Sequence, residues 1–282
     1  MPWDAAELWV GEFAGDGTIA KAMRVAGGED ESIYQPEWSP DGTLYFVSDR
    51  TGWWNIYRLR GGVVEAVCAM EAEFARPQWV FGRPTYAFES AHSIIATYTK
   101  DGAWRLARID VESGRVEEIP TPYTAIASVV VGDGEAVFTG GSPGEPDSIV
   151  LLDLRTLKHK VLRRATKAKI DPGYISRPEA ISFPTEGALT AHALYYPPAN
   201  KDYEAPEGEA PPLIVRSHGG PTAAAGGSLN LSYQYFTSRG FAIVDVNYGG
   251  STGYGREYRN RLRGTWGIVD VDDCCNAARY LV

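Results

Sequence analysis

A short β-strand pattern recurs along residues 1–167. The segment Trp-Ser-Pro-Asp-Gly-Thr-Leu-Tyr-Phe at residues 38–46 returns in degenerate form at residues 79–88 and 130–138. Four further strand patterns lie out of phase with it, at residues 7–10, 55–59, 104–110 and 148–154. Multi-stranded repeats of about 40 to 50 residues are typical of β-propeller blades. Residues 1–167 are therefore predicted to form an all-β partial β-propeller of about three to four blades.

Aromatic residues and Asp-Gly pairs within these repeats favour structural roles. Strand tryptophans and tyrosines suit half-buried pleated surfaces, so we expect them to pack between strands rather than to form a ligand platform. Asp41-Gly42 and Asp133-Gly134 predict hairpin turns and not metal-binding loops.

A different pattern occupies the last third of the chain. An apolar run bounded by prolines, residues 211–216, predicts a buried strand that ends in His-Gly-Gly-Pro at residues 218–221. An amphipathic segment at residues 231–239, with Gly240 as its stop, predicts a helix, and the apolar run at residues 241–247 predicts a second strand. Strand, loop, helix and strand in this order are typical of α/β folds.

Two adjacent glycines, Gly219 and Gly220, follow the first of these strands. Glycine lets the backbone approach a ligand closely. In α/β-hydrolases a His-Gly-Gly loop supplies a backbone N–H to the oxyanion hole, where it stabilises the negative charge that develops on a carbonyl oxygen. The alternative interpretation is a plain glycine-rich turn after a strand.

Three ordered motifs carry a resemblance to a known family. They are His-Gly-Gly-Pro at residues 218–221, Asn-Tyr-Gly-Gly-Ser-Thr-Gly-Tyr-Gly at residues 247–255, and Trp-Gly-Ile-Val-Asp-Val-Asp-Asp at residues 266–273. With this order and spacing, residues 212–282 resemble the start of the catalytic domain of the prolyl oligopeptidase family of serine peptidases, in its acylaminoacyl-peptidase and dipeptidyl-peptidase branch. Gly249 stands where that branch usually has arginine.

This resemblance implies both a fold and an activity. The fold is the truncated start of an α/β-hydrolase domain, and the activity is hydrolysis of short peptides through an acyl-enzyme, with the propeller screening substrate size. The Gly220 N–H, with Gly219 beside it, is the implied oxyanion-hole donor, and His218 and Tyr248 are the implied residues lining the site. No cofactor and no metal are expected. Release of an acylated amino acid, a dipeptide or a longer piece all remain open.

Ser251 formally matches a nucleophile elbow, because residues 249–253 read Gly-Gly-Ser-Thr-Gly after a strand. We nevertheless predict that Ser251 is not the nucleophile. The triad order in this fold is Ser, then Asp or Glu, then His, and no histidine follows Ser251. The histidines are His92, His159, His192 and His218. Residues 254–261 are also basic, aromatic and interrupted by glycine, unlike the helix that should follow an elbow.

Residues 270–282 predict a helix with acidic residues in its first turn, which complement the helix dipole. Asp270 and Asp273 share one face of it, and we interpret them as capping and packing residues rather than as catalytic acids. The helix has no stop signal, so we expect a chain truncated at both ends, with Met1 an internal methionine. The nucleophile, acid and histidine are then expected beyond Val282, and the chain alone is expected to be inactive.

The charge and composition of the chain limit the classes of binding partner that we expect. With 36 acidic and 27 basic side chains, the net charge is −9, and no basic stripe suggests nucleic acid. No apolar run of membrane-spanning length occurs, and the acidic start does not resemble a signal peptide, so a cytoplasmic protein without a membrane partner is expected. The cysteines, Cys68, Cys274 and Cys275, form neither a disulfide framework nor a metal-binding pattern.

The boundary between the two predicted domains, residues 1–167 and 168–282, lies where a basic polar stretch ends in Asp171-Pro172-Gly173. Two functions remain open at this point. One is a fragment of a serine peptidase acting on short peptides. The other is a non-catalytic propeller that acts as a binding or scaffold module, or as a regulatory decoy of the full-length enzyme. In either case open sheet edges are expected to favour self-association or aggregation.

Overall fold

The computed structural model describes all 282 residues, which form five β-sheets and three α-helices. Strands of the amino-terminal part are β1 (Ala6–Phe13), β2 (Ile19–Gly28), β3 (Ile33–Trp38), β4 (Leu44–Ser48), β5 (Asn55–Arg60), β6 (Val63–Ala66), β7 (Tyr86–Ser90), β8 (Ser93–Lys100), β9 (Ala103–Asp110), β10 (Val116–Ile119), β11 (Ala125–Gly132), β12 (Glu135–Ser142), β13 (Glu145–Asp153) and β14 (His159–Arg164). The remaining elements are β15 (Glu179–Thr185), β16 (Leu189–Tyr196), β17 (Leu213–Ser217), α1 (Leu231–Thr237), β18 (Ala242–Asn247), α2 (Gly255–Asn260) and α3 (Val269–Leu281).

The amino-terminal strands form a partial β-propeller. Strands β3–β6, β7–β10 and β11–β14 each make a four-stranded antiparallel blade in sequence order, and β1 pairs with β2 in a two-stranded sheet before them. Asp133 and Gly134 connect β11 to β12 with φ angles of 51° and 76°, the left-handed conformation that a tight hairpin requires. The fold predicted from the repeats is confirmed.

Aromatic side chains fill the space between blades. Trp54, Tyr86 and Tyr98 are fully buried in one core cluster that draws on both the β3–β6 and the β7–β10 blades. This packing agrees with the structural role predicted for the strand aromatics at Tyr86 and Tyr98, because such side chains bury large apolar areas between pleated surfaces. The tryptophans of the repeats depart from that prediction, since Trp9, Trp38 and Trp79 are 54%, 58% and 49% exposed.

Residues 79–81 depart from the repeat pattern. The alignment with residues 38–46 suggests a strand and hairpin here, whereas the structure has an irregular loop that ends only at β7. Pro77 and Pro84 flank this loop. Because proline cannot donate to a β-ladder, the flanking prolines disfavour strand pairing at both ends of this loop.

The last sheet has the strand order β15-β16-β18-β17. Strands β17 and β18 are parallel, and the other two pairs are antiparallel. Helix α1 connects the parallel strands and begins at Asn230, whose side chain accepts hydrogen bonds from the backbone N–H groups of Ser232 and Tyr233. Helix α3 packs on the sheet and buries Ala277. The predicted α/β-hydrolase start is therefore present, and the carboxyl ends of β17 and β18 lie side by side.

A buried charge cluster joins the propeller to this sheet. Asp49 and Glu73 come from the propeller, whereas Arg256 and Arg259 lie on α2. Arg259 pairs with Asp49, and its guanidinium carbon lies 4.1 Å from the ring centroid of Trp54. The cluster thus sets two carboxyl side chains against two guanidinium side chains. None of the helices is both long and apolar enough to cross a membrane.

Candidate active-site loop

The carboxyl ends of two parallel strands position the candidate site. Ser217, the last residue of β17, pairs with Val246 near the end of β18. The loops that leave these strands, residues 218–222 and 248–254, therefore start next to each other. Crevices outside the carboxyl ends of parallel strands are the usual ligand sites of α/β sheets.

The loop at residues 218–222 presents free backbone donors. Neither the Gly219 N–H nor the Gly220 N–H donates to an atom of the chain, and both residues are exposed. Gly220 has a φ of 142°, and a Cβ there would lie 2.9 Å from the Thr222 nitrogen, so this position requires glycine. The peptide bond between Gly220 and Pro221 is cis. An unpaired, exposed N–H is what an oxyanion-hole donor needs.

His218 and Tyr248 meet beside these donors. Their rings stack with centroids 4.5 Å apart, and the Tyr248 hydroxyl lies 2.9 Å from the Pro221 carbonyl oxygen, to which it donates. Tyr248 is buried, and burial raises its pKa to about 12, so it remains a neutral donor. It supports the glycine loop from within the fold, whereas His218 is partly exposed at the surface of the site.

His218 also contacts Ser251, a contact that the sequence analysis did not predict. The His218 Nε2 atom lies 2.7 Å from the Ser251 Oγ atom. The sequence contained a signal for this contact, because His218 and Ser251 each follow one strand of the parallel pair. Reasoning from the triad order missed it, because that order considers only histidines that follow the serine. Ser251 has 0% exposure.

The second ring nitrogen of His218 has no carboxylate partner. Its Nδ1 lies 3.1 Å from the Gly219 carbonyl oxygen and 3.4 Å from the Tyr248 hydroxyl. Burial lowers the pKa of His218, which favours the neutral imidazole. A serine that is inaccessible to solvent, paired with a histidine that has no orienting acid, lacks what a triad requires. We interpret the contact as one that fixes the imidazole ring.

In the loop at residues 248–254, the five backbone N–H groups of residues 249–253 all donate to atoms of the protein. The acceptors are Asp273 Oδ2 for the N–H of Gly249 at 2.7 Å, the Tyr258 carbonyl for Gly250 at 2.9 Å, the Tyr248 carbonyl for Ser251 at 2.9 Å, the Ala223 carbonyl for Thr252 at 2.8 Å, and Glu73 Oε2 for Gly253. The N–H groups around Ser251 are therefore not available to a ligand, unlike those of Gly219 and Gly220.

Gly249, where the resembling family has arginine, is closely packed. A Cβ at this position would lie 2.8 Å from Val269 Cγ1 and 3.1 Å from Arg261 Cβ. The Arg261 side chain extends from there to the Thr190 carbonyl, with 2.7 Å between Nη1 and the carbonyl oxygen. The Arg261 side chain therefore lies beside residue 249, although residue 249 itself is glycine.

Asp270 and Asp273 have structural partners. Asp270 Oδ1 accepts a 2.7 Å hydrogen bond from the Gly267 N–H just before α3, and Asp273 accepts from the Thr185 hydroxyl as well as from Gly249. These contacts agree with the capping and packing roles expected from the sequence.

No cluster of three or more His, Cys, Asp or Glu side chains could hold a metal ion, and all cysteines are free.

Comparison with known proteins agrees with this geometry. Residues 228–282 match the model of the prolyl oligopeptidase family. The uncharacterized peptidase YuxL of Bacillus subtilis is 33% identical over 182 residues, which are 64% of this chain and 27% of that protein. The acylamino-acid-releasing enzyme of Arabidopsis thaliana is 34% identical over 97 residues, which are 34% of this chain and 12% of that protein.

Solved structures match over the whole chain. The crystal structure of a puromycin hydrolase is 40% identical with a TM-score of 0.93, and covers 100% of this chain and 43% of its own. A puromycin-hydrolyzing peptidase of Mycobacterium tuberculosis is also 40% identical, with a TM-score of 0.94 and the same coverage. The chain thus spans less than half the length of these relatives. Together with the site, these matches show that the chain belongs to the prolyl oligopeptidase family.

Proposed function

We propose that this chain is part of a serine peptidase that hydrolyses short peptides through an acyl-enzyme, and that it contributes a donor of the oxyanion hole. The observation that supports this proposal is the N–H of Gly220, an exposed residue beside Gly219 in the loop after β17. This N–H has no hydrogen-bond acceptor within the chain. A peptide carbonyl placed against this N–H would gain stabilisation as negative charge develops on its oxygen. One such donor contributes about 3 to 4 kcal/mol to transition-state stabilisation.

The residues around Gly220 hold this donor in place. Tyr248 fixes the loop through its bond to the Pro221 carbonyl, and Ser251 fixes the His218 ring. Because these partners are buried, the loop needs little rearrangement when a substrate binds, and preorganised donors are the effective ones.

Residues 1–282 alone are proposed to lack peptidase activity. Ser251 is inaccessible and His218 has no orienting carboxylate. The nucleophile, its acid and its histidine would then come from polypeptide outside these residues. The propeller strands would restrict entry to short peptides.

The first experiment is to sequence the transcript beyond the codon for Val282, and to express both the chain and any longer product. A fluorophosphonate probe is expected to label a serine in the longer product and none in the chain. A stop codon directly after Val282 would instead favour a binding or scaffold module or a regulatory decoy. Labelling of the chain that disappears in Ser251→Ala would contradict the proposed inactivity.

A matched pair of variants tests the oxyanion role in the longer product. Gly220→Ala forces a Cβ against Thr222 and displaces the N–H, so kcat should fall about 100- to 1000-fold. Gly219→Ala is the control, since a Cβ there meets nothing within 4 Å. Equal kcat values for the two variants would contradict the assignment to Gly220.

A further inference from the structure

Three consecutive apolar side chains of the propeller part lie on the surface next to the glycine loop. Trp79, Val80 and Phe81 are 49%, 54% and 93% exposed. Their burial would release water from a large apolar area, yet nothing in the chain covers them. A run of exposed apolar residues is an unfavourable choice for a surface unless it binds something.

The loop that carries them is held at both ends. On one side Trp79 packs at a tilt of 44° against the buried Trp3, with ring centroids 4.4 Å apart, and Gln78 donates to the Ile33 carbonyl. On the other side the Pro84 carbonyl accepts a 3.1 Å hydrogen bond from the Val129 N–H. The apolar side chains between these anchors are therefore displayed by a supported loop.

Trp79 connects this loop to the candidate active-site loop. Its Nε1–H donates to the Thr222 carbonyl oxygen at 2.7 Å. The same oxygen lies 3.4 Å from the position that a Cβ on Gly220 would occupy. One atom thus lies close to both the indole of Trp79 and residue 220, so the indole and the proposed oxyanion donor belong to the same region of the surface.

We propose that Trp79, Val80 and Phe81 form an apolar subsite for an aromatic or large aliphatic side chain of the peptide whose carbonyl binds at Gly220. This inference rests on the proposed function and adds to it the class of substrate. The exposed indole and phenyl faces suit an aromatic ring, because offset and edge-on aromatic pairs add to the gain from burial. A peptide of glycine residues would lack this gain.

The test is an NMR titration of the uniformly ¹⁵N-labelled chain with N-acetyl-phenylalanyl-glycine amide and, separately, with N-acetyl-glycyl-glycine amide. The phenylalanyl peptide should shift the indole N–H of Trp79, assigned with Trp79→Phe, and should bind about tenfold more tightly than the glycyl peptide, the factor expected for one buried side chain. The indole of Trp9, exposed on β1, is the internal control and should not move.

Variants isolate the apolar contact. Phe81→Ser should weaken binding of the phenylalanyl peptide several-fold without changing binding of the glycyl peptide. Phe13→Ser, which alters a phenylalanine on β1 that is 83% exposed, should change neither. Equal affinity for the two peptides, or a Phe81→Ser variant that binds like the parent chain, would overturn the subsite.

The same spectra separate this inference from the proposed function. Shifts of the Gly219 and Gly220 amides with an unmoved Trp79 indole would refute the subsite and leave the oxyanion role intact. Shifts of the Trp79 indole without those amides would refute the shared placement at Gly220, and with it the subsite as proposed. An absence of shifts at both places would count against both ideas.

Discussion

Replacing Arg259 with methionine should destabilise the junction between the propeller and the last sheet. The Arg259 side chain is 1% exposed and pairs with Asp49, and its Nη1 lies 3.5 Å from Glu73 Oε1. Methionine preserves much of the apolar contact with Trp54 but removes the charge. Two buried carboxylates then face the single guanidinium of Arg256.

The size of the effect follows from the uncompensated charge. Breaking a buried ion pair by removing one partner costs about 3–5 kcal/mol, because the other charge stays buried. Arg256 remains on Asp49 at 2.5 Å, so the penalty should fall mainly on Glu73. A total stability of about 5–15 kcal/mol makes such a loss large.

The pH dependence of this stability loss should identify Glu73 as the carboxyl that causes it. Burial raises the pKa of Glu73 above its usual 4.5, while Arg259 lowers it, so removing Arg259 raises the pKa further. A carboxyl with a raised native pKa binds more protons in the folded state, so its contribution favours folding below about 4.5 and is lost as the pH rises through the native pKa. The penalty of Arg259→Met should therefore be largest at neutral pH and should shrink toward pH 4.5.

Urea unfolding followed by circular dichroism measures these free energies. Arg115→Met is the control, because that side chain is 75% exposed and its pair with Glu117 should contribute less than about 1 kcal/mol. Adding Glu73→Gln to Arg259→Met should recover part of the loss, since the amide oxygen can still accept from the Gly253 N–H. A loss below about 1 kcal/mol for Arg259→Met, or no recovery in the double variant, would refute the reasoning.

Further predictions concern packing, titration and reactivity. Gly249→Ala should lower the free energy of unfolding by about 1–3 kcal/mol through overpacking, whereas Gly15→Ala, with open space around it, should be nearly neutral in the same urea assay. NMR titration of His218 should give a pKa below 6.5, because burial disfavours the charged imidazole. Its neutral form then contributes to the free energy of unfolding above pH 6.5, and that contribution should be lost as the pH falls through the native pKa. Burial raises the pKa of Cys68 to about 12, so iodoacetamide should modify the exposed Cys275 first, as peptide mass spectrometry would show.

The sequence predicted elements well where local patterns decide them. Strand β18 begins one residue inside its predicted apolar run of 241–247, and α3 occupies nearly the whole predicted segment of 270–282. Both elements are set by hydrophobic periodicity, caps and glycines, which are local signals. The blades followed in the same way from repeats of similar length.

The sequence could not predict contacts between distant segments. The motif at residues 249–253 resembles an elbow, but only the structure shows that its N–H groups are spent on partners as remote as Glu73 and Asp273. The link between His218 and Ser251 was missed for a similar reason, since it depends on two strands lying parallel. At residues 79–81, tertiary contacts of Trp79 and the flanking prolines overrode the repeat pattern.

These long-range contacts link the propeller part directly to the two loops of the candidate site. Glu73 holds the Gly253 N–H, in the loop that carries Ser251, and Trp79 holds the Thr222 carbonyl, beside Gly220. Each site loop thus receives one hydrogen bond from the propeller part. Because a displacement of about 1 Å can cost about 100-fold in rate, loss of either bond should disturb the proposed site without any change to its glycines. The propeller part and the glycine loop are therefore structurally connected, and we expect the position of Gly220 to depend on residues more than a hundred positions away in sequence.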